Sequence, residues 1–360
     1  MNVKLGELEK KIGYSFQNKN LLTQALTHPS FNEHDRSKPD NQRMEFLGDS
    51  ILSAILSEAL YISFPEEDEG SLSRKRAVFI RGSSLVKIAK ELKVDNHSIK
   101  ITAERNPEEL PWEDIDVALE CTGVFTDKDK ASMHLKNGSK KVLVSAPATN
   151  ADKTIVYGVN HSSLTPDDLI VSNASCTTNC LAPVAKVLSE NFGIKVGYMT
   201  TIHSYTGDQP VLDTLHKDYY RARGAALNMI PTSTGAAKAV SLVLPELEGR
   251  LDGSAIRVPT PNVSCIDLKC ILEKTVTAEE INSAVNMAAE GELKGILTYE
   301  SDPLVSTDLN HVASSSIFAA SQTKTLREGM VRILSWYDNE WGFSNRMIDT
   351  ALYLSLTNID

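Results

Sequence analysis

Ser172-Asn173-Ala174-Ser175-Cys176-Thr177-Thr178-Asn179-Cys180 is the stretch on which the fold of this chain turns. The β-rich run Asp168–Val171 leads into it, and a helical pattern from Leu181 to Glu190, closed by Gly193, leaves it. Cys176 is therefore expected where a strand passes into a helix N-terminus, with Ser175 or Asn173 as the cap. Unpaired N–H groups and the helix dipole at such a place favour a thiolate over a thiol. A second strand, Lys195–Ile202, runs into His203, a partner base for a nucleophilic cysteine. Spacing alone leaves two readings open, a reactive Cys–His pair or a small buried cysteine beside a structural histidine.

Composition sets the bounds. At 360 residues, 41% hydrophobic and 23% charged, the chain is long enough to bury a large core and to hold about two domains. No apolar run approaches the roughly 18 residues needed to span a membrane. The first ten residues read as the start of an amphipathic helix and not as a signal peptide. Five cysteines without a framework spacing suit a reducing compartment, so a cytoplasmic location is expected. The net charge of −10 is unevenly spread, because 14 basic and 13 acidic side chains precede residue 94, against 23 and 34 beyond it. The acidic part is a poor partner for nucleic acid, and only the first segment suits a phosphate backbone.

The motif around Cys176 resembles the active-site signature of the glyceraldehyde-3-phosphate dehydrogenase family. His203-Ser-Tyr-Thr206-Gly-Asp-Gln, Thr232-Ser-Thr-Gly-Ala-Ala-Lys-Ala-Val240, Arg257-Val-Pro-Thr-Pro-Asn262 and Trp336-Tyr-Asp-Asn-Glu340 follow in the family's order. The resemblance implies Cys176 as nucleophile and His203 as its base. It implies a pocket for the substrate phosphate at Thr206, Arg221 and Arg257, and one for inorganic phosphate at Ser175, Thr177, Thr234 and Gly235. It implies NAD or NADP beside Thr122, Ser145 and Asn339, with a phosphorylated aldehyde and inorganic phosphate as reaction partners, and a homo-oligomeric assembly. Taken without the family, these are ordinary turn residues and surface charges.

The first segment reads as helices. Asn18 is placed to cap Leu21–Leu26, a long helix is expected over about 41–62, and others near Ser73–Ile80 and Leu85–Leu92. Glu45 and Asp49 stand at i, i+4 on the long helix, where they form either a solvated acidic face or the start of a Mg²⁺ site. Gln42-Arg-Met-Glu-Phe-Leu-Gly-Asp-Ser50, Ala25-Leu-Thr-His-Pro-Ser-Phe31 and Phe64–Arg74 are similar to segments of the ribonuclease III family. That resemblance implies Glu45 and Asp49 as metal ligands, Glu69 as a nearby acid, and double-stranded RNA as substrate. A later helix with its own Asp-x-x-Glu pair is missing, so the metal site is a half-site.

The switch between the two resemblances comes within about three residues of Lys93, with no flexible linker. The expected organisation is an all-α ribonuclease III-like fragment over 1–93 and a partial, Rossmann-type NAD-binding domain over 94–171. An α+β dehydrogenase catalytic domain over 172–332 follows, then a helix over 333–360 that returns to the nucleotide domain. No Gly-x-Gly-x-x-Gly occurs, the glycines before residue 150 being isolated at 6, 13, 48, 70, 82, 123 and 138. Coenzyme binding is expected to suffer, and the final helix and the surviving sheet edge to lose cover. The reading that follows is a phosphorylating dehydrogenase impaired in coenzyme binding. The alternatives are a double-stranded RNA endonuclease, or a non-functional fusion of two truncated genes.

Overall fold

The computed structural model describes residues 15–27, 55–80, 93–94, 97–98, 102 and 104–357. The chain falls into two compact units, Met1–Arg105 and Asn106–Asp360. In the first, helix α1 (Lys19–Ala25) starts at Asn18, whose side chain accepts from the Asn20 N–H, the cap expected from the sequence. Residues 55–63 are helical, and helix α2 runs over Glu69–Ile80, starting before the expected Ser73. The strands β1 (Lys93–Val94) and β2 (His97–Ser98) form a small antiparallel pair. Glu45, Asp49 and the helix expected at Leu85–Leu92 lie outside the described residues.

The second unit contains two sheets. Strands β3 (Ile115–Glu120), β4 (Ser139–Val144), β5 (Lys153–Thr154) and β6 (Ile170–Ser172) form a parallel sheet in the order β3-β4-β6-β5. A parallel sheet is stable when both faces are covered, which explains the near-continuous burial of β4, down to a fully buried Lys141. The Lys141 ammonium donates to Thr357 Oγ1 at 2.7 Å, tying the end of the chain to the sheet.

Helix α3 (Cys176–Phe192) follows β6 after a short turn, starts at Cys176 where the helix N-terminus was expected, and ends at Gly193 in the left-handed region (φ 68°). Behind it stands a mixed sheet. Its strands are β7 (Ile194–Ser204), β8 (Ile230–Ser233), β9 (Leu251–Val258), β10 (Ser264–Leu272), β11 (Leu297–Glu300), β12 (Ser316–Ala319), β13 (Lys324–Thr325) and β14 (Met330–Tyr337). They run in the order β11-β12-β14-β10-β7-β9-β8, with β13 added on β14. Helix α4 (Ala278–Glu290) carries a complete capping box, Thr277 and Glu280 exchanging bonds with each other's backbone. Leu181, Val184 and Leu188 of α3 and Ile281 and Val285 of α4 meet Met199, Ile266, Leu268 and Ile333 in the main core. Burying each such side chain contributes about 1.5–3 kcal/mol.

The last helix, α5 (Trp341–Leu356), corrects one expectation. Its inner side remains covered, Met347 and Leu354 packing with Leu143, Ile155 and Val171 against the parallel sheet. Only its outer side, with Ile348, Leu352 and Leu356, is exposed. Among the described residues β3 pairs with β4.

Gly253 tests how tightly β9 lies on β7. A Cβ there would stand 2.5 Å from the Met199 carbonyl oxygen, a backbone atom of the paired strand that has no rotamer in which to retreat. Gly253→Ala is expected to cost about 1–3 kcal/mol through overpacking, read as a lower urea midpoint with an unchanged slope.

Candidate functional site

The strand-to-helix junction places the cysteine. Between β6 and α3 the chain turns through Ala174, fully buried and in the left-handed region (φ 56°), a conformation costing roughly 1–2 kcal/mol for a residue with a Cβ. The turn is held from outside. Asn179 Nδ2 donates to the Asn173 carbonyl at 2.8 Å, and Thr350 Oγ1 donates to Asn173 Oδ1 at 2.8 Å. Of the two candidate caps, Ser175 is the one used, its Oγ accepting from the Thr178 N–H at 3.1 Å. Cys176 thus becomes the first helical residue, partly exposed at the helix end.

His203 comes from the end of β7. Its Nε2 lies 3.5 Å from Cys176 Sγ, so the structure brings together the two residues singled out by sequence. On the ring's other side, Nδ1 is 2.8 Å from Ser204 O and 2.6 Å from Arg257 Nη1. Arg257 stands on β9 opposite His203 in the parallel register. Tyr337, at the end of β14, packs its ring edge-on against His203 with centroids 5.8 Å apart. Its hydroxyl bridges Thr177 Oγ1 (2.8 Å) and Thr201 Oγ1 (2.9 Å). Tyr337 was not singled out by sequence, although it lies within the quoted Trp336–Glu340 motif, and its role emerges only from long-range packing.

The electrostatics correct one inference. Burial pushes the Cys176 thiol above its ordinary range, against the favourable fields of Arg257 and the Thr177 bonds, so the helix N-terminus does not by itself yield a thiolate. Burial, reinforced by the Arg257 cation, lowers His203 to about 4. Burial also lowers Arg257, and the Arg221 cation adds to the effect. Arg257 Nε is buried with no hydrogen-bond partner, a donor set that fits an anion. Arg221 is meanwhile engaged by Asp208 at 2.6 Å and by Thr232 Oγ1 at 3.0 Å.

The remaining candidates divide. Thr178 Oγ1 reaches Ala236 O at 3.4 Å, bringing the Thr234–Gly235 turn to the start of α3. The Thr234 hydroxyl accepts from the Ala236 N–H, and Thr206 shows only a backbone bond to Gln209. Asn339 is held in one orientation because its Oδ1 accepts from Ser204 Oγ (2.9 Å) and Ser264 Oγ (2.8 Å). Thr122 and Ser145 follow the carboxyl ends of β3 and β4. There Glu120 accepts from both the backbone and hydroxyl of Thr122. His134, buried, contacts the other Glu120 oxygen at 2.9 Å. Burial raises the Glu120 carboxyl, but these partners outweigh it and hold the group below its usual range. Glu69, in the first unit, accepts from Ser73 Oγ. Among the described residues, no group of three or more His, Cys, Asp or Glu forms a metal centre.

His203 has a consequence for stability. Its folded-state value lies below the ordinary 6.5, so the unfolded chain binds its proton first on acidification. Its contribution is complete above about pH 6.5 and lost as pH falls toward about 4. Urea midpoints are expected to drop across that window, His203 accounting for up to about 2 kcal/mol at pH 5. His203→Gln should flatten that part of the curve.

Comparison with known proteins agrees with this geometry. The model of the glyceraldehyde 3-phosphate dehydrogenase C-terminal domain matches residues 175–339, and a ribonuclease-III-like model matches residues 18–111. A glyceraldehyde-3-phosphate dehydrogenase of Cereibacter sphaeroides is 68% identical over 254 residues, 71% of this chain and 76% of its own length. One of Xanthobacter flavus is 61% identical over 291 residues, covering 80% and 87%. Glyceraldehyde-3-phosphate dehydrogenase 1 of Bacillus subtilis is 56% identical over 281 residues, covering 77% and 82%. With three-quarters or more of such relatives matched, and their C-terminal domain present around Cys176 and His203, the chain belongs to the glyceraldehyde-3-phosphate dehydrogenase family.

Proposed function

We propose that the chain oxidises glyceraldehyde 3-phosphate to an acyl phosphate through a thioester on Cys176. The observation that carries this reading is the 3.5 Å approach of Cys176 Sγ to His203 Nε2, beside a buried arginine with an unpartnered donor. Cys176 adds to the aldehyde carbon as its proton passes to His203. The oxyanion that develops is met by the imidazole N–H and by the backbone N–H groups that begin α3. Arg257 and Arg221 hold the substrate phosphate, with Thr206 completing that pocket. Ser175, Thr177, Thr234 and Gly235 receive the inorganic phosphate that cleaves the thioester and restores the thiolate.

A bound nicotinamide coenzyme, NAD or NADP, supplies the hydride acceptor. The residues that suit its nicotinamide end are Asn339, whose Oδ1 is fixed by two serine hydroxyls and whose Nδ2 donates one hydrogen to Glu340 Oε1 and keeps a second to give, with Thr122 and Ser145 at the strand ends. No glycine-rich loop exists to receive the pyrophosphate, so the coenzyme is held weakly. Five free cysteines accord with a reducing cytoplasm. Outward-facing Val196, Tyr198, Ile271 and Met330 suit a homo-oligomer. Among the described residues no helix is long and apolar enough to cross a membrane.

The assay is NADH formation from glyceraldehyde 3-phosphate, inorganic phosphate and NAD. A slow rate is expected, with an apparent KM for NAD above about 1 mM, beyond the usual range. Cys176→Ser should abolish it, and His203→Gln should lower kcat by about 10²–10⁴-fold. An unchanged rate in either variant would contradict the assignment.

The ribonuclease-III-like match favours a second reading of the first unit, Mg²⁺-dependent cleavage of double-stranded RNA through Glu45 and Asp49, with Glu69 nearby. Cleavage of a long RNA duplex, lost in Glu45→Gln, would support it. A duplex left intact at high protein concentration would support two truncated genes joined without a surviving nuclease.

A further inference from the structure

Glu340 is the last residue before α5, the position whose side chain ordinarily caps a helix, yet it makes no capping bond. The capping is done by Asp338, whose Oδ1 accepts the N–H groups of Glu340 (3.0 Å) and Trp341 (2.8 Å). Asp338 Oδ2 is filled as well, by Asn262 Nδ2 at 2.9 Å and the His311 N–H at 2.7 Å. The Glu340 carboxylate is thereby released from the helix end, and its Oε1 accepts from Asn339 Nδ2 at 3.3 Å. Asn339 is not free to turn away. Its Oδ1 takes the hydroxyl protons of Ser204 and Ser264, both buried. A reversed amide would strand those two protons and set its oxygen against the carboxylate.

An exposed carboxylate therefore stands one amide nitrogen away from the hydrogen that Asn339 still has to give. Its field reaches the reacting centre. Burial is the main reason the Cys176 thiol lies high, and the Glu340 charge works in the same direction. A negative charge there disfavours a thiolate and repels a phosphate, but it suits a cation. The nicotinamide ring is a cation only while oxidised. A hydride arrives with its electron pair and leaves the ring neutral, whereas the rest of the coenzyme is the same in both forms.

We propose that Glu340 is a specificity-determining residue that favours the oxidised coenzyme over the reduced one, its carboxylate acting on the pyridinium charge across the fixed amide of Asn339. The proposal rests on the reading of Asn339 as the nicotinamide contact. Oxidised coenzyme is drawn in, and the reduced form, its ring charge gone, loses that attraction and leaves more readily. Because the carboxylate is in reach of water, salt weakens the effect.

Ligand-observed NMR titrations of the full chain with NAD and with NADH test this, the ratio of the two dissociation constants being the readout. Glu340→Gln, isosteric and at an exposed position, should weaken NAD relative to NADH by about three- to tenfold at low salt. Glu340→Asp, which keeps the charge, should stay near the unmodified ratio. Raising the salt to about 0.5 M should shrink the difference between the unmodified chain and Glu340→Gln. The same ratio in those two chains at low salt overturns the proposal. Asn339→Ala separates that outcome from failure of the reading beneath it: if it weakens both forms, the nicotinamide contact stands and only the role of Glu340 falls. If Asn339→Ala leaves both affinities as they are, or neither form binds saturably to the unmodified chain, the reading and the proposal fall together.

Discussion

Everything in the second unit depends on the turn between β6 and α3. A buried alanine in the left-handed region, clamped by Asn179 and Thr350 through Asn173, sets both the direction of α3 and the position of Cys176 at its first turn. The clamp draws on α5, whose Thr350 lies 177 positions from Asn173, so the junction is completed only when α5 has returned to the parallel sheet. Strain of this kind persists where surrounding structure over-determines it, and it is concentrated at sites that do chemistry. The mixed sheet then brings His203 to the sulfur from one side and Arg257 to His203 from the other.

Two opposed effects govern the thiol. A helix N-terminus and a nearby guanidinium favour the thiolate, whereas removal from water disfavours it, and burial is the larger of the two. Burial acts on the partner in the same sense, disfavouring the charged form of His203 as it does that of Cys176. The coenzyme side is less complete. The parallel sheet keeps its carboxyl-edge residues and its covering helix, but the sequence offers no Gly-x-Gly-x-x-Gly turn beside it.

The sequence is most legible where short motifs coincide with strand ends. Cys176, His203, Ser175 as a cap, Gly193 as a helix stop and the strands on either side could all be read from local pattern. Helix starts were less legible. The start of α2 at Glu69, before the expected Ser73, escaped the pattern because its first turn, Glu69-Gly70-Ser71, carries no apolar residue. Contacts between distant residues were not legible at all. The approach of Arg257 to His203 and the bridge of Tyr337 between Thr177 and Thr201 join residues 54 and 136 or more positions apart. The thiol's electrostatics followed the same rule, since burial is a property of the packed core and not of the motif. In the first unit, the acidic pair that carries the ribonuclease resemblance falls outside the described residues.

Limiting iodoacetamide followed by peptide mapping of all five cysteines puts the central claim most directly at risk. If packing has built a reaction centre at the head of α3, Cys176 is modified well ahead of buried Cys180, Cys265 and Cys270, and His203→Gln slows its modification and no other. If Cys176 is labelled only as fast as its neighbour Cys180, the thiol at the strand-to-helix turn is merely a small core residue.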